Sequence, residues 1–373
     1  MRRILAAIVL LVFLSKAAPA DDLIQDDIAK LEKTAAAGDA KAQFRIGTMY
    51  LRGQAVEQDS AKALEWLSKA AEKGYAPAQS RLGEVYLGSF SVSEDREKAR
   101  NWFLKAGRQG FAKAQRNLGG LYAQEPGADL RQARRWFKAA ADQGDAESQY
   151  QLGRLARGRD EAKAWFAKAA KGQHAEAKHA LAELLYADRD YASALEWFHK
   201  SAGLGHAEAQ ARLGEIYEEG RGAEKDLDQA WRWWLEAAEG GDLRAQFHVG
   251  EVYRLGLVGQ PKNTAQALAW HSRAAERDSA RSAFALGQMQ GDDKEKSRSW
   301  LEKAARQGLA EAQRELGLSY DDDRVKACAW LALAAEQGDK PAQAALNELK
   351  AQMTGEELAR VVDEMREDRV KKR

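Results

Sequence analysis

A short segment recurs along almost the whole sequence of 373 residues. In each copy a turn position, usually glycine, precedes a pattern close to A-x-A-Q, and successive turn positions lie 29 to 37 residues apart. Repeats of this length are typical of stacked helix pairs, so the chain is expected to form one elongated array instead of several globular domains. The turn positions are Gly38, Gly74, Gly110, Gly144, Gln173, Gly205, Gly241, Asp278, Gly308 and Gly338, and nine of the eleven tryptophans lie eight residues before a turn: Trp66, Trp102, Trp136, Trp165, Trp197, Trp233, Trp270, Trp300 and Trp330.

Each copy predicts two helices. Helix A carries A-x-A-Q-x-x-L-G-x-x-Y, as in residues 40–50, and helix B carries A-x-x-W-h-x-x-A-A, as in residues 63–71, where h is apolar. Apolar residues recur at three- and four-residue spacing in both, as on one face of an α-helix. The turn glycine after helix B fits a left-handed C-terminal position, so Gln173 and Asp278 predict turns that are strained or reshaped.

A glycine also lies inside helix A, nine residues after the turn, where it costs about 1 kcal/mol relative to alanine. This cost predicts that the backbone of helix B approaches helix A closely at that point. The tryptophan is expected to fill the space between neighbouring units. Its replacement by alanine would cost about 3 to 5 kcal/mol wherever it is buried.

The first twenty residues form a pattern of their own. Arg2 and Arg3 precede an apolar run, and Ala18-Pro19-Ala20 supplies a small-x-small cleavage site. This order predicts a signal peptide at 1–20, hence an exported, periplasmic or secreted protein. The run is shorter than the roughly 20 residues of a spanning helix, so no membrane span is expected after its removal. The single cysteine, Cys328, permits no internal disulfide and is predicted to be a small buried side chain.

The remaining chain divides into a capping helix at 21–37, the repeats at 38–350 and a charged capping helix at 351–373. The last helix is predicted to begin with a capping box between Thr354 and Glu357. An apolar stripe would then cover the last unit, as terminal caps do in repeat proteins. The predicted stripe consists of Leu358, Val361, Val362 and Met365.

The repeated pattern resembles the Sel1-like repeat, a relative of the tetratricopeptide repeat. The consensus A-x-A-Q-x-x-L-G-x-x-Y-x-x-G, a loop rich in lysine and aspartate, and A-x-x-W-x-x-x-A-A-x-x-G recur in nine units over about residues 28–350. Residues 206–241 match it nearly throughout. The resemblance implies an all-α fold, a right-handed α-solenoid of about nine helix-pair repeats with terminal capping helices. It also implies an adaptor, and exported bacterial members are similar to scaffolds for signalling, polysaccharide export or envelope assembly.

No catalytic motif is found in the sequence: G-x-S-x-G, S-x-x-K, H-E-x-x-H, C-x-x-C and the phosphate-binding glycine loops are missing. We therefore expect no enzyme and no cofactor, with an envelope hydrolase as a minor alternative. His174, His179 and His206 are the only candidates for a metal site. Three ligands would have to converge and five-residue spacing suits one helix face poorly, so scattered polar histidines are favoured. The formal charge of +1 argues against a nucleic-acid partner.

The resemblance to tetratricopeptide arrays implies that helix A lines a concave binding surface. The expected partner is another envelope protein or a peptide segment, with a polysaccharide or peptidoglycan as the alternative. Mixed aromatic, arginine and glutamate side chains suit such a surface, although the aromatic residues would equally suit packing between units. Trp231, in helix B of unit 6, would either anchor a partner or pack on a long loop. The candidate residues are Arg116, Tyr150, Arg154, His179, Glu215, Trp231, Phe247, Glu251 and Arg254.

Overall fold

The structure is a computed structural model that describes residues 20–88, 93–124 and 127–371. Within these ranges the chain forms helices and no strands, which confirms the all-α prediction. The predicted signal peptide lies almost wholly outside the described residues. The helices are α1 (Ala20–Ala36), α2 (Ala40–Arg52), α3 (Ser60–Glu72), α4 (Ala76–Tyr86), α5 (Arg96–Arg108), α6 (Ala112–Gln124), α7 (Leu130–Ala141), α8 (Ala146–Arg154), α9 (Arg159–Ala169), α10 (Ala175–Ala187), α11 (Tyr191–Ala202), α12 (Ala207–Glu219), α13 (Leu227–Glu239), α14 (Leu243–Leu255), α15 (Thr264–Glu276), α16 (Ala280–Met289), α17 (Lys294–Arg306), α18 (Ala310–Ser319), α19 (Arg324–Glu336), α20 (Lys340–Lys350) and α21 (Gly355–Lys371).

Helices A and B of the nine repeats alternate from α2 to α19, with helix A even-numbered and helix B odd-numbered. Eight of the nine B helices begin after an aspartate or asparagine whose side chain accepts a backbone N–H of the first turn. Such N-caps are each worth about 1 kcal/mol, so the start of helix B is fixed locally. These residues are Asp59, Asp95, Asp129, Asp190, Asp226, Asn263, Asp293 and Asp323.

The glycine inside helix A faces a large side chain of helix B. This side chain belongs to the residue after the tryptophan, and it lies so close that a Cβ atom on the glycine would be 2.5 to 2.9 Å from it. The closest contact at this position is thus made by a side chain. The predicted approach of the helix B backbone is seen where that residue is leucine, since a helix B carbonyl would there lie 3.1 to 3.3 Å from the Cβ. The pairs are Gly47–Leu67, Gly83–Phe103, Gly119–Phe137, Gly153–Phe166, Gly214–Trp234, Gly250–His271, Gly287–Leu301 and Gly317–Leu331; repeat 5 has Ala182 and Phe198 at these positions.

The nine tryptophans that precede the turns pack between neighbouring repeats, but they are not the main core residues of their repeats. Trp270 and Trp330 are buried, whereas the other seven are half-buried, so the expected loss of 3 to 5 kcal/mol does not apply to them. Trp136, for example, contacts the preceding repeat at Gly107. Several of the exposed ring faces carry a cation, as where Lys105 Nζ lies 4.0 Å from the centroid of the Trp102 ring.

The turn between repeats is held by the glutamine of A-x-A-Q. Its side-chain amide donates to a carbonyl in the last turn of the preceding helix, as from Gln79 Nε2 to Ala71 O at 3.0 Å. Where repeat 8 has Ala283 in place of glutamine, Lys303 Nζ donates to the equivalent carbonyl of Ala275 at 2.6 Å. The turn glycines are left-handed as predicted; Asp278 keeps that conformation, with φ of 64°, whereas Gln173 does not.

The chain divides into two compact units, one ending at Ala177 and the other beginning at Lys178. The first has core clusters such as the one around Phe103 and Leu118, and the second has its largest cluster around Phe198 and Trp234.

Cys328 is buried in the second unit, and burial raises the pKa of its thiol. No helix in the described part of the chain is both long and apolar enough to cross a bilayer.

The C-terminal helix begins with the predicted capping box. Thr354 N donates to the Glu357 carboxylate at 2.8 Å, and Glu357 N donates to the Thr354 hydroxyl at 3.2 Å. Val361 is buried against α19 and α20, but Val362 is 50% exposed, so its assignment to the stripe was wrong. One step of 100° along the helix turns it away from the face that Val361 occupies.

Repeat 7 places a histidine at the core position of helix B. The His271 side chain is fully buried against Gly250, and its Nε2 lies 3.2 Å from Glu251 Oε1. Arg254 Nη2 lies 2.5 Å from the other carboxylate oxygen. Burial acts to raise the pKa of Glu251, but the hydrogen bonds and charges of Arg254 and His271 outweigh it and lower that pKa to about 2.

We predict that Gly119→Ala and Gly120→Ala have opposite effects on stability. A Cβ on Gly119 would lie 2.5 Å from the Phe137 ring, whereas one on Gly120 would meet nothing within 4 Å. Gly119→Ala should lower the free energy of unfolding by about 1 to 2 kcal/mol, because overpacking exceeds the gain in helix propensity. Gly120→Ala should raise it by up to about 1 kcal/mol. Urea unfolding followed by circular dichroism measures both, and equal effects would contradict the contact.

We further predict that Glu251→Gln removes a contribution to stability that is present at neutral pH and lost in acid. Because the pKa of Glu251 is lowered on folding, its stabilisation is present above the unfolded value near 4.3 and is lost as pH falls toward 2. At pH 7 the variant should lose up to about 3 kcal/mol, at 1.36 kcal/mol per pKa unit. Its unfolding midpoint should also change less than that of the wild type between pH 5 and 2.5. Glu224→Gln, at an exposed loop position, is the control and should follow the wild type.

Candidate functional site

The first column of candidate residues, two positions before the leucine of L-G, mostly contacts the next repeat. Each of these side chains reaches the residue that precedes the following helix A or lies at its start. In these repeats the side chains of the column therefore join neighbouring A helices. Because they are engaged within the chain, they are less available to contact a partner protein. The contacts are Phe44 with Tyr75, with ring centroids 5.5 Å apart, Arg116 Nη1 with Asp145 Oδ2 at 2.9 Å, Tyr150 with His174 at 4.8 Å between rings, His179 with His206 at 4.9 Å between rings, and Arg314 Nη1 with Asp339 Oδ2 at 2.5 Å.

Phe247 and Trp231 also have neighbours within the chain. The Phe247 ring lies 5.6 Å from that of His271. The Trp231 ring meets Tyr253 edge-on at 5.3 Å and packs on the cluster that includes Ala223 of the long loop in repeat 6. Both side chains are half-buried.

The second column, directly after L-G, contains glutamates paired with arginines. Arg212 lies 2.6 Å from Glu215 and 3.0 Å from Glu183, and Arg244 lies 3.4 Å from Glu215. Glu251 and Arg254 pair with each other, as described above. These candidates form a ladder of ion pairs along the second unit.

Repeat 4 has an arginine, Arg154, in this column. Its guanidinium is exposed, and its Nη1 donates to the neutral side chain of Gln151 at 3.3 Å. No carboxylate of a described residue pairs with it. Arg154 therefore presents a positive charge that is available to a ligand.

A cavity of about 320 Å³ brings Arg116 and Arg154 together. It lies between the A helices α6 and α8, and Gly120 forms part of its wall with nothing within 4 Å of its missing Cβ. Gly120 occupies the second column, where other repeats have a side chain such as Glu84 or Glu183. The cavity thus exists because this side chain is missing. The adjacent glycines Gly119 and Gly120 are the feature of the sequence from which this cavity could have been predicted.

The polar groups of this Gly120 cavity come from both helices. Asn117 and Gln124 line it from α6, and their side-chain amides bond to no other described residue. Glu147 and Gln151 line it from α8. The hydrogen bond from His174 is the largest influence on Glu147 and, with the charge of Arg116, lowers its pKa to about 2. Leu87, Leu121 and Phe137 supply an apolar side.

Two of the three candidate histidines do come together, contrary to the favoured prediction. His179 on α10 and His206 before α12 lie with Glu208 so that one ligand atom from each falls within 4.8 Å of the others. His174 lies apart from this group and contacts Glu147, with 3.1 Å between Nε2 and Oε2. Spacing along one helix missed the group because His206 is brought in by the next repeat.

Comparison with known proteins identifies the repeats. The model of the Sel1 repeat matches nine consecutive segments: residues 40–75, 76–111, 112–145, 146–174, 175–206, 207–242, 243–279, 280–309 and 310–339. A search of curated proteins found no match. Proteins with Sel1 repeats generally mediate protein–protein interactions, and their solenoid is typically a scaffold without catalytic activity.

Two solved structures are similar over most of the chain. One is c5321, a protective antigen of uropathogenic Escherichia coli strains with an SLR fold; it is 25% identical, the match covers 91% of this chain and 94% of that one, and the TM-score is 0.53. The other is a Sel1 repeat protein from Oxalobacter formigenes, 27% identical over 91% of this chain and 93% of that one, with a TM-score of 0.46. With nine matched repeats spanning residues 40–339, the chain belongs to the Sel1 repeat family, and its fold is an α-solenoid.

Proposed function

We propose that this protein is a non-catalytic interaction module that binds an extended, acidic peptide segment of a partner protein in the Gly120 cavity. The cavity at Gly120, between two A helices, is the observation that carries the proposal. Its volume of about 320 Å³ is at the lower end of ligand pockets and fits one or two side chains of a peptide better than a large cofactor.

The polar groups of the cavity match the chemistry of a peptide. Asn117 and Gln124 each offer a donor and an acceptor, which is what a peptide unit requires. Arg154 offers a guanidinium, whose planar donors bind a carboxylate in a bidentate manner. The apolar side at Leu121 and Phe137 suits an aliphatic portion of the same ligand.

The sequence around the cavity has an excess of basic residues. Residues 94–138 contain eleven Lys and Arg against five Asp and Glu, and they include α6, which forms one wall of the cavity. Four of these cations, Lys113, Arg116, Arg134 and Lys138, pair with carboxylates outside this stretch, so we assign the attraction for an acidic ligand to Arg154. A positive charge at the site accelerates the encounter with a negative partner.

Polysaccharide binding is the alternative, and fewer contacts support it. It rests on the aromatic residues of the expected groove, such as Tyr150 and Phe247, and on the basic stretch at 94–138. Tyr150 contacts Phe166 and His174, and Phe247 contacts His271, so each ring is half-buried among its own neighbours. We therefore place peptide binding first.

We also propose that the protein acts in the bacterial cell envelope, on the basis of the signal-peptide pattern at residues 1–20. The partner would then be another envelope protein. Cell fractionation of the tagged native protein tests this location separately from peptide binding.

We predict that acidic peptides bind the wild type and fail to bind variants of the cavity. A phage-displayed library of random decapeptides, selected on the purified chain, should become enriched in Asp and Glu. The affinity of the selected peptides, measured by fluorescence polarisation, should fall at least tenfold in Arg154→Glu and in Gly120→Leu. The first reverses the available charge, and the second fills the space with a side chain that the helix tolerates.

Arg135→Glu is the matched control for charge, because Arg135 is an exposed arginine on α7 that does not line the cavity. Its affinity should stay within about threefold of the wild type at 0.15 M salt, where distant surface charges are screened. Selection without enrichment in acidic residues, or equal affinity of wild type and Gly120→Leu, would overturn the proposal. Circular dichroism should show the same helix content in all variants.

A further inference from the structure

His179, His206 and Glu208 form a cluster at the junction of repeats 5 and 6, within the second compact unit. The two imidazole rings lie 4.9 Å apart between centroids, and His179 Nδ1 lies 4.0 Å from Glu208 Oε2. Potential ligand atoms of all three residues lie within 4.8 Å of one another. The cluster lies away from the Gly120 cavity, which belongs to the first unit.

We propose that His179, His206 and Glu208 bind a divalent transition-metal ion of the zinc type, with three protein ligands and one position open to water or a further ligand. Two imidazole nitrogens and one carboxylate are a ligand set that zinc accepts. Bound ligand atoms in such a site lie about 2.0 to 2.2 Å from the metal, so the cluster must contract. The Glu208 side chain is 65% exposed and can rotate to close the remaining distance.

The surroundings of His179 favour coordination through Nδ1. Its Nε2 lies 3.5 Å from Glu183 Oε1, and Glu183 is held by Arg212 Nε at 3.0 Å. A carboxylate at the distal nitrogen fixes the proton there and leaves the lone pair of the other nitrogen to the metal, as is usual for metal-binding histidines. The side chain of His179 is only 18% exposed, and the Phe198 ring, 5.8 Å from its own, forms an apolar neighbour.

His206 already caps a helix, and metal binding would end that interaction. Its Nδ1 accepts the backbone N–H of Ala209 at 3.2 Å and so caps α12. A neutral ring has one lone pair, so coordination by His206 ends this cap whichever nitrogen binds. A single N-cap is worth about 1 kcal/mol, which is less than a metal–imidazole bond contributes.

An open path leads to the cluster. His206 and Glu208 line a cavity of about 660 Å³, whose other side includes Asp242 and Arg244. Arg244, which lines this cavity, and Arg212, which pairs with Glu183, are both engaged by Glu215. A hydrated ion can therefore reach the ligands from solvent without a change of fold.

His174 provides a matched control from the preceding repeat. It caps α10 through the same atom, with Nδ1 accepting the N–H of Ala177 at 3.2 Å. Its ring faces Tyr150 instead of a second histidine. A change at His174 thus removes an equivalent cap and leaves the proposed ligands in place.

The test uses the untagged full-length chain, stripped with a chelator and titrated with Zn²⁺ alone by isothermal calorimetry. We expect saturable binding of one ion per chain and a rise in the thermal midpoint with zinc. His179→Ala and His206→Asn should each weaken the affinity at least tenfold, since the asparagine retains a good N-cap but is a poor zinc ligand. His174→Asn should leave the affinity within about twofold.

Titration with Co²⁺ supplies an independent readout, because tetrahedral cobalt with nitrogen and oxygen ligands absorbs visible light. The absorbance should appear in the wild type and in His174→Asn and be lost in His206→Asn. Stoichiometry far from one, equal affinity of wild type and His179→Ala, or equal loss in His174→Asn would overturn the site. None of these results would depend on the peptide-binding proposal.

Discussion

The structure depends on one contact, that of a glycine in helix A with a large side chain of helix B. In eight repeats the glycine leaves space for a leucine, an aromatic ring or His271, at 2.5 to 2.9 Å from where its Cβ would be. A glycine inside a helix costs about 1 kcal/mol, and burying the opposing side chain offsets this by about 1.5 to 3 kcal/mol. The pair cannot cover its other faces by itself. Within each compact unit, contacts such as the bond from Gln79 to Ala71 and the packing of Trp136 on the preceding repeat join neighbouring repeats.

The period, the two helices, the turn glycines and the C-terminal capping box could all be predicted from the sequence, because each depends on residues close together in the chain. The identity of the core residue could not. Trp136 and Phe137 are neighbours, both apolar, and one helical step separates their directions, so a periodic pattern allows either to face the core. The structure buries Phe137 and leaves Trp136 half-buried.

The candidate site was harder to predict because its residues depend on the following repeat. The repeat pattern places Arg116 on the expected binding face of helix A. Whether its guanidinium is available to a partner depends on Asp145, 29 residues later, which pairs with it. His179 meets His206 for the same reason, and the assignment of its neighbours could not come from spacing on one helix. Contacts between repeats thus occupy most positions that a family comparison would assign to a binding groove.

A binding site in such an array is best sought where a column loses its usual side chain. Gly120 costs helix stability in the same way as Gly119, yet a Cβ there would touch nothing, so no packing contact of this position offsets the cost. The glycine also opens the cavity between α6 and α8, and Arg154, which lines this cavity, pairs with no carboxylate of a described residue. A residue that weakens its helix without improving the core is more readily explained by what enters the space beside it. This local inconsistency, more than the general likeness to Sel1 scaffolds, directs attention to the junction of repeats 3 and 4.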